Sequence, residues 1–244
     1  MSINFLSTSV CMATYNGSKF IKKQVDSILK QLSSTDELII VDDCSIDDTV
    51  SILNNYNDKR IRIYINERNF GVVYSFNKAL GLASGDIIFL SDQDDKWEEK
   101  KVSTVLSIFQ SKDVDLIVHD AIIISDFEII SESLFFYANS SNGFLKNLIS
   151  NTYTGCCMVF KRSILNRILP IPQKKGIYHD SWIGIMSDFY NYKISFENIR
   201  LIEWYRHDKN ESSIKTRSFS IIIIDRVNLI LAILYRFFKN SISR

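Results

Sequence analysis

Asp86-Ile87-Ile88-Phe89-Leu90-Ser91-Asp92-Gln93-Asp94-Asp95-Lys96-Trp97 sets a short apolar run directly before an acidic cluster. Residues 86–90, entered through Ser84-Gly85, have the length and boundaries of a buried strand. Upstream the same unit recurs. The spacing predicts strands over 9–13, 37–41 and 61–65, with helices over 19–32, over the segment carrying Val50, Ile52 and Leu53, and over 75–82. The first helix gathers Ile21, Val25, Ile28, Leu29 and Leu32 on one face, and Asp47 or Asp48 is placed to cap the second. This β-α-β-α rhythm implies an α/β fold, a mostly parallel central sheet with helices on both faces.

In open α/β sheets ligands bind beyond the carboxyl ends of the strands. Thr14-Tyr15, Asp42-Asp43 and Asp92-Gln93-Asp94-Asp95 each follow a predicted strand, so three strand ends present polar groups to one crevice. Two aspartates one residue apart suit a hard divalent cation, which binds through one or two carboxylates plus phosphate oxygens. Asp43 beside Tyr15 suits a pyrimidine, the carboxylate accepting from a base N–H and the ring lying on its face. Asn69 and Gly71 add a loop able to touch the base. The plain alternatives are a solvated acidic turn, a helix cap and a simple turn.

Beyond Trp97 the pattern predicts a helix over 100–109 and a strand over 115–119; 120–150 has no clear period and is expected to shape an acceptor surface. A strand follows Thr154-Gly155-Cys156-Cys157 through Phe160. A loop over 174–180 precedes a helix over 181–189, and strands over 194–196 and 201–205 lead to Arg206-His207-Asp208. Residues 219–238 are strongly apolar, interrupted by Asp225, Arg226, Asn228, Arg236 and Lys239. On a helical wheel Asp225, Asn228, Ala232, Arg236 and Lys239 form one narrow stripe. That is too polar to span a bilayer and fits a helix lying in the membrane surface; a helix docked on the domain or on a second subunit is the alternative. The chain divides into an α/β domain over 1–218 and an amphipathic helix over 219–244.

With 46% hydrophobic and 23% charged residues, the 244-residue chain can bury a single core and lacks a disordered composition. A net charge of +1 leaves no global field for nucleic acid. Cys11, Cys44, Cys156 and Cys157 make no CxxC pair, which excludes a zinc ribbon and favours reduced thiols. No secretory leader is visible, so a cytoplasmic setting is expected.

The motifs Met12-Ala13-Thr14-Tyr15-Asn16, Val41-Asp42-Asp43-Cys44-Ser45-Ile46-Asp47-Asp48-Thr49, Asn69-Phe70-Gly71-Val72 and Leu90 to Trp97, with Thr154-Gly155-Cys156 and His179-Asp180, resemble the family 2 glycosyltransferases in order and spacing. The resemblance covers about residues 7–210 and is nearest to the bacterial rhamnosyltransferase-like branch, which builds surface polysaccharides. It implies the GT-A fold and inverting transfer of one sugar from a nucleotide diphosphate donor to a hydroxyl. The implied donor is dTDP-rhamnose first and a UDP-hexose next. The implied acceptor is a lipid-linked oligosaccharide or growing polysaccharide, at the inner face of the plasma membrane. By position, Asp43 binds the base, with Thr14, Tyr15 and Asn69 beside it. Asp92 lies near the ribose, Asp94 binds Mn2+ or Mg2+, and Asp180 is the catalytic base. His207 matches a histidine that helps bind metal or diphosphate. The branch shows Arg-x-His-x-x-Asn, whereas here Arg206 and His207 are adjacent, with Asn210 following; on a strand that shift would turn the ring to the opposite face.

Three other classes compete. A nucleotidyltransferase would want a Gly-rich phosphate-cradling loop near the first strand, and Thr14-Tyr15-Asn16-Gly17 is too short for that. A processive synthase carries a Gln-x-x-Arg-Trp motif, and Glu203-Trp204-Tyr205-Arg206 does not match it. A catalytically silent nucleotide-sugar-binding subunit of an assembly complex fits the altered Arg206-His207 spacing, but retention of Asp94 and Asp180 speaks against it.

Overall fold

The computed structural model describes residues 6–125, 128–207 and 219–242. The chain runs β1 (Thr8–Thr14), α1 (Ile21–Leu29), β2 (Glu37–Asp42), α2 (Thr49–Asn54), β3 (Ile61–Ile65), α3 (Val72–Leu82) and β4 (Ile87–Ser91). Helix α1 starts two residues late, where the Phe20 and Ile21 amides both donate to the Gly17 carbonyl at 2.9 and 3.0 Å, and ends three residues early, where the Gln31 amide donates to the Ile28 carbonyl at 2.9 Å in a tighter turn. Helix α3 starts three residues before its expected position. Gly71, with φ of 91°, turns the chain straight into it.

Next come β5 (Lys96–Trp97), α4 (Lys101–Ser111), β6 (Leu116–Ser125), β7 (Glu128–Ser131), α5 (Leu134–Ala138) and α6 (Phe144–Ile149). After a 3-10 turn at Gly155–Cys157 follow β8 (Met158–Lys161), α7 (Leu165–Ile168), α8 (His179–Phe189), β9 (Ile194–Tyr205) and α9 (Phe219–Ile242). The strands form one sheet ordered β3-β2-β1-β4-β8-β6-β9-β5, with β7 on β6. Strands β3, β2, β1 and β4 are parallel, as the alternation requires. Beyond them β8 runs antiparallel to both β4 and β6, while β6 and β9 are parallel. A Rossmann-like half is thereby joined to a mixed half in the GT-A arrangement. Buried apolar side chains such as Val10, Ile39, Phe89, Val159 and Trp182 form the core.

The two strands expected over 194–196 and 201–205 are one. The polar stretch between them is the exposed part of β9, opposite a register shift in β6. That shift surrounds Asp120, which is fully buried. Its carboxylate accepts from the Ser133 hydroxyl (2.6 Å) and the Phe135 amide (2.9 Å), tying the start of α5 to the sheet. A buried aspartate inside a ten-residue strand, followed by a four-residue strand and two helices of five and six residues, leaves 120–150 without a readable period.

Helix α9 docks with its polar stripe inward. Asp225 and Arg236 are buried with Leu229 and Ala232. Arg236 Nη1 donates to the carbonyls of Arg167, Ile168 and Leu169 (3.2, 3.2 and 2.7 Å), capping the end of α7, and Nη2 donates to Pro170. Its apolar side faces outward, with Ile223, Ile224, Val227, Leu231 and Tyr235 exposed. From Asp225 to Arg236 the stripe is thus the seam to the domain, while Lys239 at its end is exposed.

Candidate active site

Strand β1 ends at Thr14, β2 at Asp42 and β4 at Ser91, so the following residues converge by topology. Thr14, Tyr15, Asp43, Asn69, Asp92, Asp94 and Asp180 all line one cavity of about 510 Å³. His207 completes the set: its Nε2 lies 2.9 Å from Asp94 Oδ2, and its ring stacks on Phe20 at 4.6 Å. The shortened Arg206-His207 spacing does not carry the ring away. Strand β9 ends at Tyr205, so the alternation of faces no longer constrains His207. Asp208 and Asn210 lie outside the described residues.

On the β1–β2 side the carboxylates are committed to the protein. Asp42 accepts from the Thr14 hydroxyl (2.9 Å), the Ser45 hydroxyl (2.6 Å) and the Ser45 amide (2.8 Å), joining both strand ends. Asp43 accepts from Asn66 Nδ2 (2.8 Å), the Phe70 amide (3.0 Å) and the Gly71 amide (2.7 Å). Two carboxylate oxygens offer about four lone pairs, which leaves room for one further N–H such as that of a pyrimidine. Asn66 is held in turn by Ser75 and Lys78. Of the two candidate helix caps, Asp47 accepts from the Thr49 amide at 3.0 Å, while the Asp48 side chain makes no cap bond.

Two glutamines escape the sequence reading. Gln93 turns away from the cavity's acids: its Oε1 accepts from the Tyr15 amide (3.0 Å) and its Nε2 donates to the Tyr15 carbonyl (3.1 Å). A side chain at Gly17 would collide with this amide, its Cβ falling 2.2 Å from Oε1. Gln24, buried on the inner face of α1, donates to Ser91 Oγ (2.8 Å) and the Asp92 carbonyl (3.1 Å), fixing the turn that aims Asp92. Neither contact is local, so no motif announces it.

On the β4–α8 side, charge is concentrated and poorly solvated. Burial, then the charges of Asp94 and Asp180, raise the Asp92 carboxyl to about 7. Burial raises Asp180 to about 6, against hydrogen bonds from backbone amides including that of Ser181 (2.6 Å). Asp180 lies in the first turn of α8, which begins at His179 rather than Ser181. Asp95 is buried and pushed well up by burial and by Asp94 and Asp92; its Oδ2 has no hydrogen-bond partner among the described residues. Lys101 is fully buried behind this cluster. Its Nζ donates to the Cys156 carbonyl at 2.9 Å and lies 4.2 Å from the Trp97 ring centroid, and burial lowers its pKa to about 8.

Carboxylate oxygens of Asp92 and Asp94 with a histidine nitrogen form a donor set that fits a hard divalent cation. Asp92, Asp95 and Cys156 also lie within 4.8 Å of one another. The Cys156 thiol, however, is pushed well up by its hydrogen bond to Cys157 and by burial, so it stays protonated and is a poor ligand.

The chain matches the family described as Glycosyl transferase family 2 over residues 9–169. It is 30% identical over 182 residues to WfgD of Escherichia coli, a UDP-Glc:alpha-D-GlcNAc-diphosphoundecaprenol beta-1,3-glucosyltransferase, covering 74% of this chain and 70% of that one. It is 36% identical over 106 residues to WfaP of Escherichia coli, named for the same activity, covering 43% and 42%. Among solved structures, S. aureus TarS 1–349 in complex with UDP-GlcNAc superposes with a TM-score of 0.70 at 19% identity, over 96% of this chain and 73% of that one. The strand-end motifs, the GT-A sheet and the extent of the family match lead to one assignment: the chain belongs to the family 2 glycosyltransferases.

Proposed function

We propose that this enzyme transfers a single sugar, with inversion, from a pyrimidine nucleoside diphosphate donor to a hydroxyl of a lipid-linked glycan. One observation carries the reading. The cavity is lined by Asp43, Asp92, Asp94 and Asp180, and by no Lys or Arg among the described residues. A cation bound among these carboxylates is what lets a diphosphate settle in the site. Asp94, Asp92 and His207 are the residues to hold Mn2+ or Mg2+, which when bound neutralises the leaving diphosphate as a Lewis acid. Asp43 and Tyr15 take the base, Thr14 and Asn69 flank it, and Asp92 reaches the ribose. Asp180, near neutrality in its pKa, takes the proton of the attacking hydroxyl.

The motifs of the rhamnosyltransferase-like branch point to dTDP-rhamnose, whereas the names of WfgD and WfaP point to UDP-glucose. Both bases offer Asp43 the same N–H. The diphosphoundecaprenol acceptors in those names support a lipid-linked acceptor, and the outward apolar face of α9 supports peripheral contact with the membrane's cytoplasmic leaflet. No helix among the described residues is long and apolar enough to cross a membrane. The deciding experiment is donor hydrolysis by the purified chain, with dTDP-rhamnose, UDP-glucose and UDP-galactose, each with Mn2+, Mg2+ or chelator. Hydrolysis of one donor, lost in chelator and in Asp180→Asn, is expected. Donor binding without hydrolysis under every condition would leave a silent sugar-nucleotide binder.

A further inference from the structure

We infer that α5 and α6 form a second bilayer-contacting surface, continuous with α9, that sets the acceptor side of the cleft at the lipid headgroups. The inference rests on the reading of a lipid-linked acceptor and extends it to a surface that no motif marks.

Continuity comes from aromatic packing. Phe189, at the end of α8, packs against Phe144 of α6 at 5.7 Å and against Phe237 of α9 at 6.0 Å. Both helices therefore flank the same end of α8. On α6, Phe144 and Leu148 pack toward the core while Leu145 and Ile149, four residues apart, point outward at 71% and 74% exposure. On α5, Phe136 is 88% exposed. Aromatic and aliphatic groups this large, bare on two neighbouring short helices and along α9, are the residues that enter the boundary between headgroups and acyl chains.

Charge selects a bilayer as the occupant. Residues 134–149 contain no Asp or Glu, and the single carboxylate in 219–242, Asp225, is turned into the domain. Exposed cations edge the surface instead. Lys175, whose carbonyl accepts from Asn228 Nδ2 at 3.3 Å, sits beside the middle of α9 with Lys174. Arg167, whose carbonyl binds Arg236, is exposed beside its second half, and Lys239 is exposed near its end. The α9 face, with no outward carboxylate and a rim of Lys and Arg, complements an anionic leaflet, and α5 and α6 extend it with no carboxylate of their own.

The surface is also coupled to the site. Asp188 of α8 accepts from the Tyr153 hydroxyl (2.8 Å) and the Gly143 amide (3.3 Å), bracketing α6 at both ends. Two residues beyond Ile149, Asn151 lines the cavity with Thr154 and Asp180. A headgroup-borne hydroxyl then reaches Asp180 without leaving the membrane surface.

The test uses the full chain in a Cys44→Ser background, with an environment-sensitive dye on Leu145→Cys or on Leu231→Cys, and vesicles of phosphatidylglycerol and phosphatidylethanolamine. Both dyes should shift to the blue. Leu145→Ser with Ile149→Ser should lower vesicle partition about tenfold, the loss of two partly inserted aliphatic side chains, with the thermal melt and donor hydrolysis unchanged. A shift at position 231 without one at 145, or unchanged partition in the double variant, overturns this inference and leaves membrane contact through α9 intact. No shift at either position overturns both. Light scattering would then show whether a second copy covers the face.

Discussion

The two sides of the cleft are built on opposite terms. On the β1–β2 side, Asp42 and Asp43 accept three protein hydrogen bonds each, and their strand ends are locked without any ligand. On the β4–α8 side, Asp92 and Asp95 are raised by burial and by neighbouring carboxylates and Asp180 by burial alone, and neither ring nitrogen of buried His179 has a hydrogen-bond partner among the described residues. A rigid platform suits recognition of a planar base. A strained, underneutralised cluster suits the place where a cation binds and charge moves during reaction. The contrast predicts that substitutions on the two sides differ in kind.

The largest effect should fall on turnover from the strained side. Asp94→Ala removes a carboxylate beside His207, and cation-dependent turnover should drop below detection while the circular dichroism melt is kept; unchanged turnover would remove the metal assignment. Asp180→Asn keeps size and the Ser181 contact but cannot take a proton. It should lower kcat about 10³-fold with the donor KM little changed. A rise in KM alone would place Asp180 in binding instead.

Stability should separate the sides by sign. Asp43→Ala takes the acceptor from the Phe70 and Gly71 amides and one of the two acceptors from Asn66 Nδ2, and should cost about 1–3 kcal/mol in urea unfolding. Asp92→Asn removes a carboxylate that burial and like charge disfavour, and should leave the metal-free chain equally or more stable at pH 8. Equal losses in both variants would erase the distinction.

The pH response follows from the same groups. Asp180 works ionised, so the rate should rise with pH through about 6 or lower, since a bound cation favours the carboxylate. Asp92 and Asp180 have folded pKa values above the ordinary aspartate value of 3.8. Their contribution to stability is full below that value and is lost as pH rises through about 6 to 7. In chelator the Tm contribution of these groups should therefore fall from pH 5 to pH 8, and added Mn2+ should shrink the fall. A Tm in chelator that is flat, or rises over that span as it does with Mn2+, would show that these carboxylates are not strained.

How much of this was legible differs between the sides for a physical reason. The strand ends were readable because a buried parallel strand is a short apolar run that stops at a turn, and β1, β2 and β4 each stop beside the polar residues that line the cavity. The supports behind them were not. Lys101 gives no local sign that it is buried, since lysine in a helix is ordinarily solvated. Asp120 breaks the apolar period of β6 from within. The stripe of α9 was legible as a stripe, yet its direction depended on carbonyls of residues 167–170, which a helical wheel does not contain.

The smallest expected effect sits at the border between the two sides. Gln93 lies within the acidic cluster but bonds the Tyr15 backbone on both its amide atoms, so by contact it belongs to the rigid side. Gln93→Ala leaves the Tyr15 amide and carbonyl at a partly exposed position where water can replace the lost bonds. The loss should be a few-fold rise in donor KM, with kcat and the response to Mn2+ unchanged. Gln93→Glu is the sharper variant. Its carboxylate still accepts from the Tyr15 amide but repels the Tyr15 carbonyl and adds charge beside Asp92 and Asp94. If its main consequence is a changed Mn2+ requirement rather than a changed KM, Gln93 acts with the cation site, and the boundary between platform and reaction centre runs between Tyr15 and Gln93.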